Sequence, residues 1–265
     1  GTYASMFSNA DRFSGAILEL LRGLMQDDPA SRWTVDEALA WMDGRRLSPK
    51  QPTKIRKAGR ALSMAEHEYN YPQTLVRDMF KTQSDAIKLI EGGTMEQWIE
   101  RSIADEPLRV RYENACVSAR EQGTGSGYHD RLLARVSVAL DPLGPVRYKG
   151  VSVTADGVGT AMAEAFVQGH DTRQFAEMFS TGLWAFWMAT LTDLNKDVTP
   201  YMTRFEAARA SLRQSNVANG VERVLYILND DVHCLSPILK DYHVRNPEQL
   251  LMAFDQIVQK SPSVS

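Results

Sequence analysis

The sequence predicts an all-α protein, with a short two-helix segment packed on a multi-helix bundle or superhelical domain. Three observations carry that prediction. Apolar residues recur at three- and four-residue spacing from Leu20 to Ile257, the period of helices with one buried face. Thr34-Val-Asp-Glu37 and Thr94-Met-Glu-Gln97 have the form of capping boxes. Thr199-Pro200, Ser236-Pro237 and Asn246-Pro247 each set a capping side chain before a proline suited to the first helical turn.

The first element sets the organisation of the chain. Leu20, Leu21, Leu24 and Met25 form an apolar stripe on a helix that runs to about Gln26, with Asn9 or Asp11 as its cap. Asp28-Pro29 turns the chain, because the residue before proline is pushed out of the α region. The Thr34–Glu37 box starts a second helix through Ala38, Leu39, Trp41 and Met42, and Gly44 closes it. The pattern Leu21-x-x-Leu24-x-x-Asp27-Asp28-Pro29-x-x-Arg32-x-Thr34-x-x-Glu37-x-Leu39 resembles the last conserved subdomain of the C-lobe of eukaryotic-type Ser/Thr protein kinases and pseudokinases. The likeness covers about residues 11 to 44 and rests on Asp28, Pro29, Arg32 and Thr34.

In that family the arginine matching Arg32 pairs with a glutamate of the activation segment, which this chain lacks. An unpaired buried charge costs several kcal/mol. Arg32 is therefore expected to be exposed, or to pair with Asp11, Glu19, Asp27, Asp28 or Glu37. No Gly-rich loop, phosphate-pairing lysine, catalytic-loop Asp and Asn, or Asp-Phe-Gly is present. ATP and magnesium are positioned by those parts. The resemblance thus implies a kinase-like remnant at residues 1–44 joined to something else.

Residues 45–60 change character. They hold Arg45, Arg46, Lys50, Lys54, Arg56, Lys57 and Arg60 with no acid, and Pro49 and Pro52 bar a helix. They read as a solvated linker or as a docking surface for an acidic protein partner. Nucleic acid is the weaker reading, since no fold-level motif accompanies the charge.

Residues 61–265 read as one helical domain, helix after helix. Leu75, Met79, Ala86, Leu89 and Ile90 mark faces between Pro72 and Gly92. Trp98, Ile99 and Ile103 follow the Thr94 box, and a helix spans Pro107 to Glu121. The glycines of 123–127 make a turn, without the lysine and preceding strand of a phosphate loop. Leu132, Leu133, Val136 and Leu140 pattern the next helix. Residues 146–153 are the best strand candidate, but a single strand has nothing to pair with. Asp156-Gly-Val-Gly159 reads as a helix start whose small residues allow close packing. Asp171 caps one helix carrying Phe175, Phe179, Trp184, Phe186, Trp187 and Leu191. Val221, Val224, Leu225 and Leu228 stripe another, and Leu250, Leu251, Phe254 and Ile257 the last.

Composition bounds the function. Of 265 residues 43% are apolar, ample for a core, and the net charge of −3 gives no general attraction to nucleic acid or anionic lipid. Cys116 and Cys234 make no disulfide framework, which favours a reducing, cytoplasmic setting. The run around 183–189 is far short of a membrane span, and the first residues carry no signal-peptide pattern.

Chemistry-bearing patterns are sparse. His67, His129, His170, His233 and His243 show no metal-ligand spacing, and neighbouring His233 and Cys234 point in different directions in regular structure. Asp230-Asp231 reads as a solvated turn. No catalytic, cofactor-binding or metal-binding residue is assigned. The expected function is a non-catalytic regulatory or protein-interaction region of a kinase-like protein. A small-molecule enzyme with an aromatic-lined helical pocket is the alternative. The apolar residues of the remnant exceed what two helices can cover against each other. Packing on the helical domain is expected, then a homodimer or the missing kinase lobe.

Overall fold

A computed structural model describes residues 14–26, 31–45, 47, 56–213, 220–230 and 232–260. The chain is mostly helical, and two short β-hairpins interrupt the all-α reading. It divides into two compact units, Gly1–Ser152 with Phe186–Lys196, and Val153–Ala185 with Asp197–Ser265. That division falls inside the stretch the sequence presents as a single helical domain.

The first unit opens with α1 (Gly15–Leu24) and α2 (Val35–Met42). Ser14 caps α1, its hydroxyl accepting the Ile17 N–H at 3.4 Å; Asn9 and Asp11 lie outside the described residues. Thr34 and Glu37 form the complete capping box, each side chain accepting the other's backbone N–H. Trp33 is the buried anchor of the pair. Its N–H donates to the Gly23 carbonyl at 2.9 Å, and a Cβ at Gly23 would sit 2.3 Å from the Trp33 ring, so only glycine leaves room for the indole.

Residues 56–60 are tied down. Ala58 is buried and its N–H donates to Asn70 O, Gly59 N–H donates to Ser102 O at 2.7 Å, and the Trp98 indole donates to Arg60 O at 2.8 Å. The chain then enters a hairpin of β1 (Leu62–Met64) and β2 (His67–Tyr69), antiparallel with Leu62 opposite Tyr69. Here the helix-after-helix expectation fails. Leu62 and Met64 turn inward and Ser63 outward, and Ala65 takes the tight turn at φ 54°.

Four helices follow: α3 (Pro72–Met79), α4 (Gln83–Glu91), α5 (Thr94–Trp98) and α6 (Glu106–Glu121). α5 runs into a π-helical turn, Ile99–Ile103, whose carbonyls meet the 56–60 strap. Thr94 is not a cap. Gly93, at φ 73°, holds the N-cap place and no side chain caps α5. Asp105 caps α6, accepting the Leu108 N–H. α7 (Tyr128–Leu140) has Leu132, Leu133, Val136 and Leu140 among its buried side chains. The core of this unit runs from Ala58 to Leu140 and includes no residue of α1 or α2.

The stretch read as one strand is a hairpin, β3 (Val146–Tyr148) with β4 (Val151–Val153). Lys149 (φ 45°) and Gly150 (φ 83°) both take left-handed backbone, as a two-residue turn of this twist requires.

The second unit holds α8 (Val158–Val167), α9 (Arg173–Ser180), α11 (Thr199–Leu212), α12 (Val221–Leu228) and α13 (Pro247–Lys260). Between α9 and α11 in sequence lies α10 (Leu183–Asp193), of which residues from Phe186 on belong to the first unit. The single aromatic helix expected after Asp171 is thus two, broken at Gly182 with φ 70°. Thr172 holds the N-cap place of α9, while the Asp171 carboxylate accepts the Arg173 N–H at 2.9 Å and pairs with its guanidinium at 2.7 Å. Gly159 brings α8 so close to α12 that a Cβ would lie 2.6 Å from Leu228 O. Phe179, Trp184 and Phe205 form a buried ring cluster. Val198, not Thr199, holds the N-cap of α11, and Ser236-Pro237 begins only a 3-10 turn. Asn246 does cap α13, accepting the Gln249 N–H at 2.9 Å.

Candidate functional site

Two surfaces stand out. The first is the α1–α2 pair, where Ile17, Leu24, Val35, Leu39 and Met42 are exposed. α2 buries none of its residues. Of the motif residues, Arg32 is exposed and its Nε donates to the Gln26 carbonyl at 2.6 Å. Thr34 is the helix cap, while Asp28 and Pro29 lie outside the described residues.

The second is a polar cleft of about 480 Å³ between β2 and the adjoining face of α3. Thr74, Arg77, Asp78 and Lys81 fall at i, i+3, i+4 and i+7, so α3 and the turn after it present them on one side. His67, Tyr69 and Tyr71 come from β2 and the turn after it, and Lys57 from the strap. Asp78 is the electrostatic centre. Its carboxylate accepts the Tyr69 hydroxyl at 3.1 Å, pairs with Lys81 at 2.8 Å and lies 3.6 Å from Arg77. Burial pushes the Asp78 carboxyl up, but the hydrogen bonds from Lys81 and Tyr69 and the two positive charges outweigh it and hold its pKa below the usual value. Burial, then the hydrogen bond to Asp78, pushes the Tyr69 phenol up to about 12.

Four of the seven basic residues read as a docking surface fall among the described residues. Arg46, Lys50 and Lys54 lie outside the described residues, and Arg45 is exposed beyond the end of α2. The Arg56 guanidinium donates to Ala104 O, and Arg60 is exposed with its carbonyl held by Trp98. Among the described ones, Lys57 lines the cleft. Nothing in the sequence singles out Arg77 and Lys81. A cation three or four residues from another on a helix reads as a solvated face, and the hairpin opposite them carries no turn signal.

The remaining candidates resolve as structure. Phe175, Phe179, Trp184 and Trp187 are buried, and half-buried Phe186 lies 6.0 Å beneath the Arg135 guanidinium. Cys116 is buried beside Tyr112, and burial raises its thiol pKa, the reverse of an activated nucleophile. His233 and His243 stack at 5.0 Å next to half-buried Cys234. Among the described residues no three His, Cys, Asp or Glu side chains are grouped to hold a metal ion, and no helix is long and apolar enough to cross a membrane. Comparison with family models, curated proteins and solved structures finds no match to this chain.

Proposed function

We propose that this chain is a non-catalytic regulatory or protein-interaction region of a kinase-like protein, and that α1 and α2 are where it meets the kinase-like lobe or another protein partner. The observation that supports this reading most is the exposure of large apolar side chains, among the described residues, on the helix pair that carries the kinase-like motif. Val35 is 75% exposed and Met42 70%. Apolar side chains grouped on one face mark an interaction surface more than scattered ones do. Arg32 Nε donates to the carbonyl of Gln26, two residues past the end of α1.

A photo-crosslinking residue at Leu39 or Met42, in the full reading frame expressed in cells, tests the reading. Cross-links from these two positions to a protein surface, absent from a control at Asp36, are expected; equal yields from all three contradict it. Calorimetry with magnesium and ATP tests the non-catalytic part, for which saturable binding is the contrary result.

A further inference from the structure

We propose that the cleft between β2 and α3 is a binding site for a phosphomonoester, gripped by Lys57, Arg77 and Lys81. These cations come from three places in the chain, the strap, the helix and the turn beyond it, and line one concavity. Among the side chains facing them, the charge is unbalanced. Asp78 already accepts the Tyr69 hydroxyl and the Lys81 ammonium. Glu68 also borders the cleft, but side chains alternate along a strand. His67 and Tyr69 share one face, their rings edge-on at 6.5 Å, and Glu68 alternates with them. Three cations against two bordering carboxylates still leave an excess of positive charge, and a phosphomonoester brings about −1.5 to −2 at neutral pH.

Two further features favour an oxyanion. Tyr71 and Thr74 place the first turn of α3 at the cleft, and no side chain caps that helix. Pro72 opens the helix without an N–H, so the N–H groups of Gln73 and Thr74 and the positive end of the dipole add to the field. The volume of about 480 Å³ admits a small ester or the side chain of a phosphorylated residue. The site lies within residues 57–81 and is independent of the role proposed for α1 and α2.

Calorimetric titration of the whole chain with phenyl phosphate, and in parallel with a phosphothreonine peptide, tests the site. Saturable binding is expected, weakened about tenfold or more by Lys57→Gln or by Arg77→Gln, since each removes a charge-assisted hydrogen bond. Both residues are exposed, and a circular-dichroism melt of each variant checks that the fold is kept. Lys88→Gln, a change at an exposed lysine outside the cleft, should leave binding as it was. Tighter binding of the peptide assigns the ester to a protein, tighter binding of phenyl phosphate to a small molecule, and either ranking supports the site. No saturation up to about 10 mM, a range that takes in even weak sites, or binding undiminished in the Lys57→Gln/Arg77→Gln double variant, overturns it.

Discussion

Helices α2 and α7 read alike in the sequence, each an apolar stripe on a short helix, yet they dispose of that stripe in opposite ways. α7 buries Leu132, Leu133, Val136 and Leu140 almost completely. α2 leaves Val35, Leu39 and Met42 exposed and depends on Trp33, just before it, for its anchorage to α1. A hydrophobic period states only that a helix has a face to bury. Whether this chain supplies the cover is a property of the tertiary structure, and for α2 the described residues do not supply it.

The largest expected effect lies on the α7 side of that contrast. Leu132→Ala should destabilise the first unit by about 2–5 kcal/mol in denaturant unfolding, through lost transfer energy and the cavity left behind. Next comes Gly23→Ala. Its Cβ cannot coexist with the Trp33 ring, so about 1–3 kcal/mol of overpacking strain falls on the helix pair. Loss of the buried-Trp33 fluorescence signature should occur without a shift in the melt of α7. If both move together, the pair and the core are one cooperative body and the contrast is broken.

Tyr69 and Asp78 give a pH-dependent effect of intermediate size. The folded state favours the neutral phenol, with its pKa raised to about 12. That contribution is present below the unfolded tyrosine pKa near 10 and is lost as pH rises toward 12. The Asp78 carboxyl is held below its usual pKa, so its contribution is present above about pH 4 and is lost as pH falls through the lowered value. Tyr69→Phe should flatten the alkaline limb of stability against pH, and an unchanged limb would show that the pair contributes nothing there. Smallest of all, Leu39→Ala should change stability by no more than about 0.5 kcal/mol, as at other exposed positions. A larger loss would mean that α2 is covered after all.

How far the sequence revealed these features follows from how local their causes are. The Thr34–Glu37 box, the Asp105 cap and the Asn246 cap are made by side chains within three residues of their targets, and two of the three were legible as capping patterns. The β1–β2 hairpin was not. Its turn is Ala65-Glu66, with neither Gly nor Asn to mark left-handed backbone, and its three-residue strands give alternation too short to recognise. Lys149-Gly150 carries such a mark, but the residues around it read as one strand running through it. Gly182 ends α9 in the same way inside an aromatic run that reads as continuous helix. The cleft was legible only at Lys57, because its remaining walls exist only once the unread hairpin lies beside α3.

Amide hydrogen exchange along the whole chain tests most directly whether α1 and α2 await a cover that the body of the first unit already has. Protection tracks local opening, which is easiest where few apolar contacts hold a helix. Amides of Gly15–Leu24 and Val35–Met42 should exchange through local opening, orders of magnitude faster than those of Tyr128–Leu140, which should open only with the whole unit. Equal protection of α1, α2 and α7 would contradict the proposal that the α1–α2 pair is the uncovered, partner-seeking part of this protein.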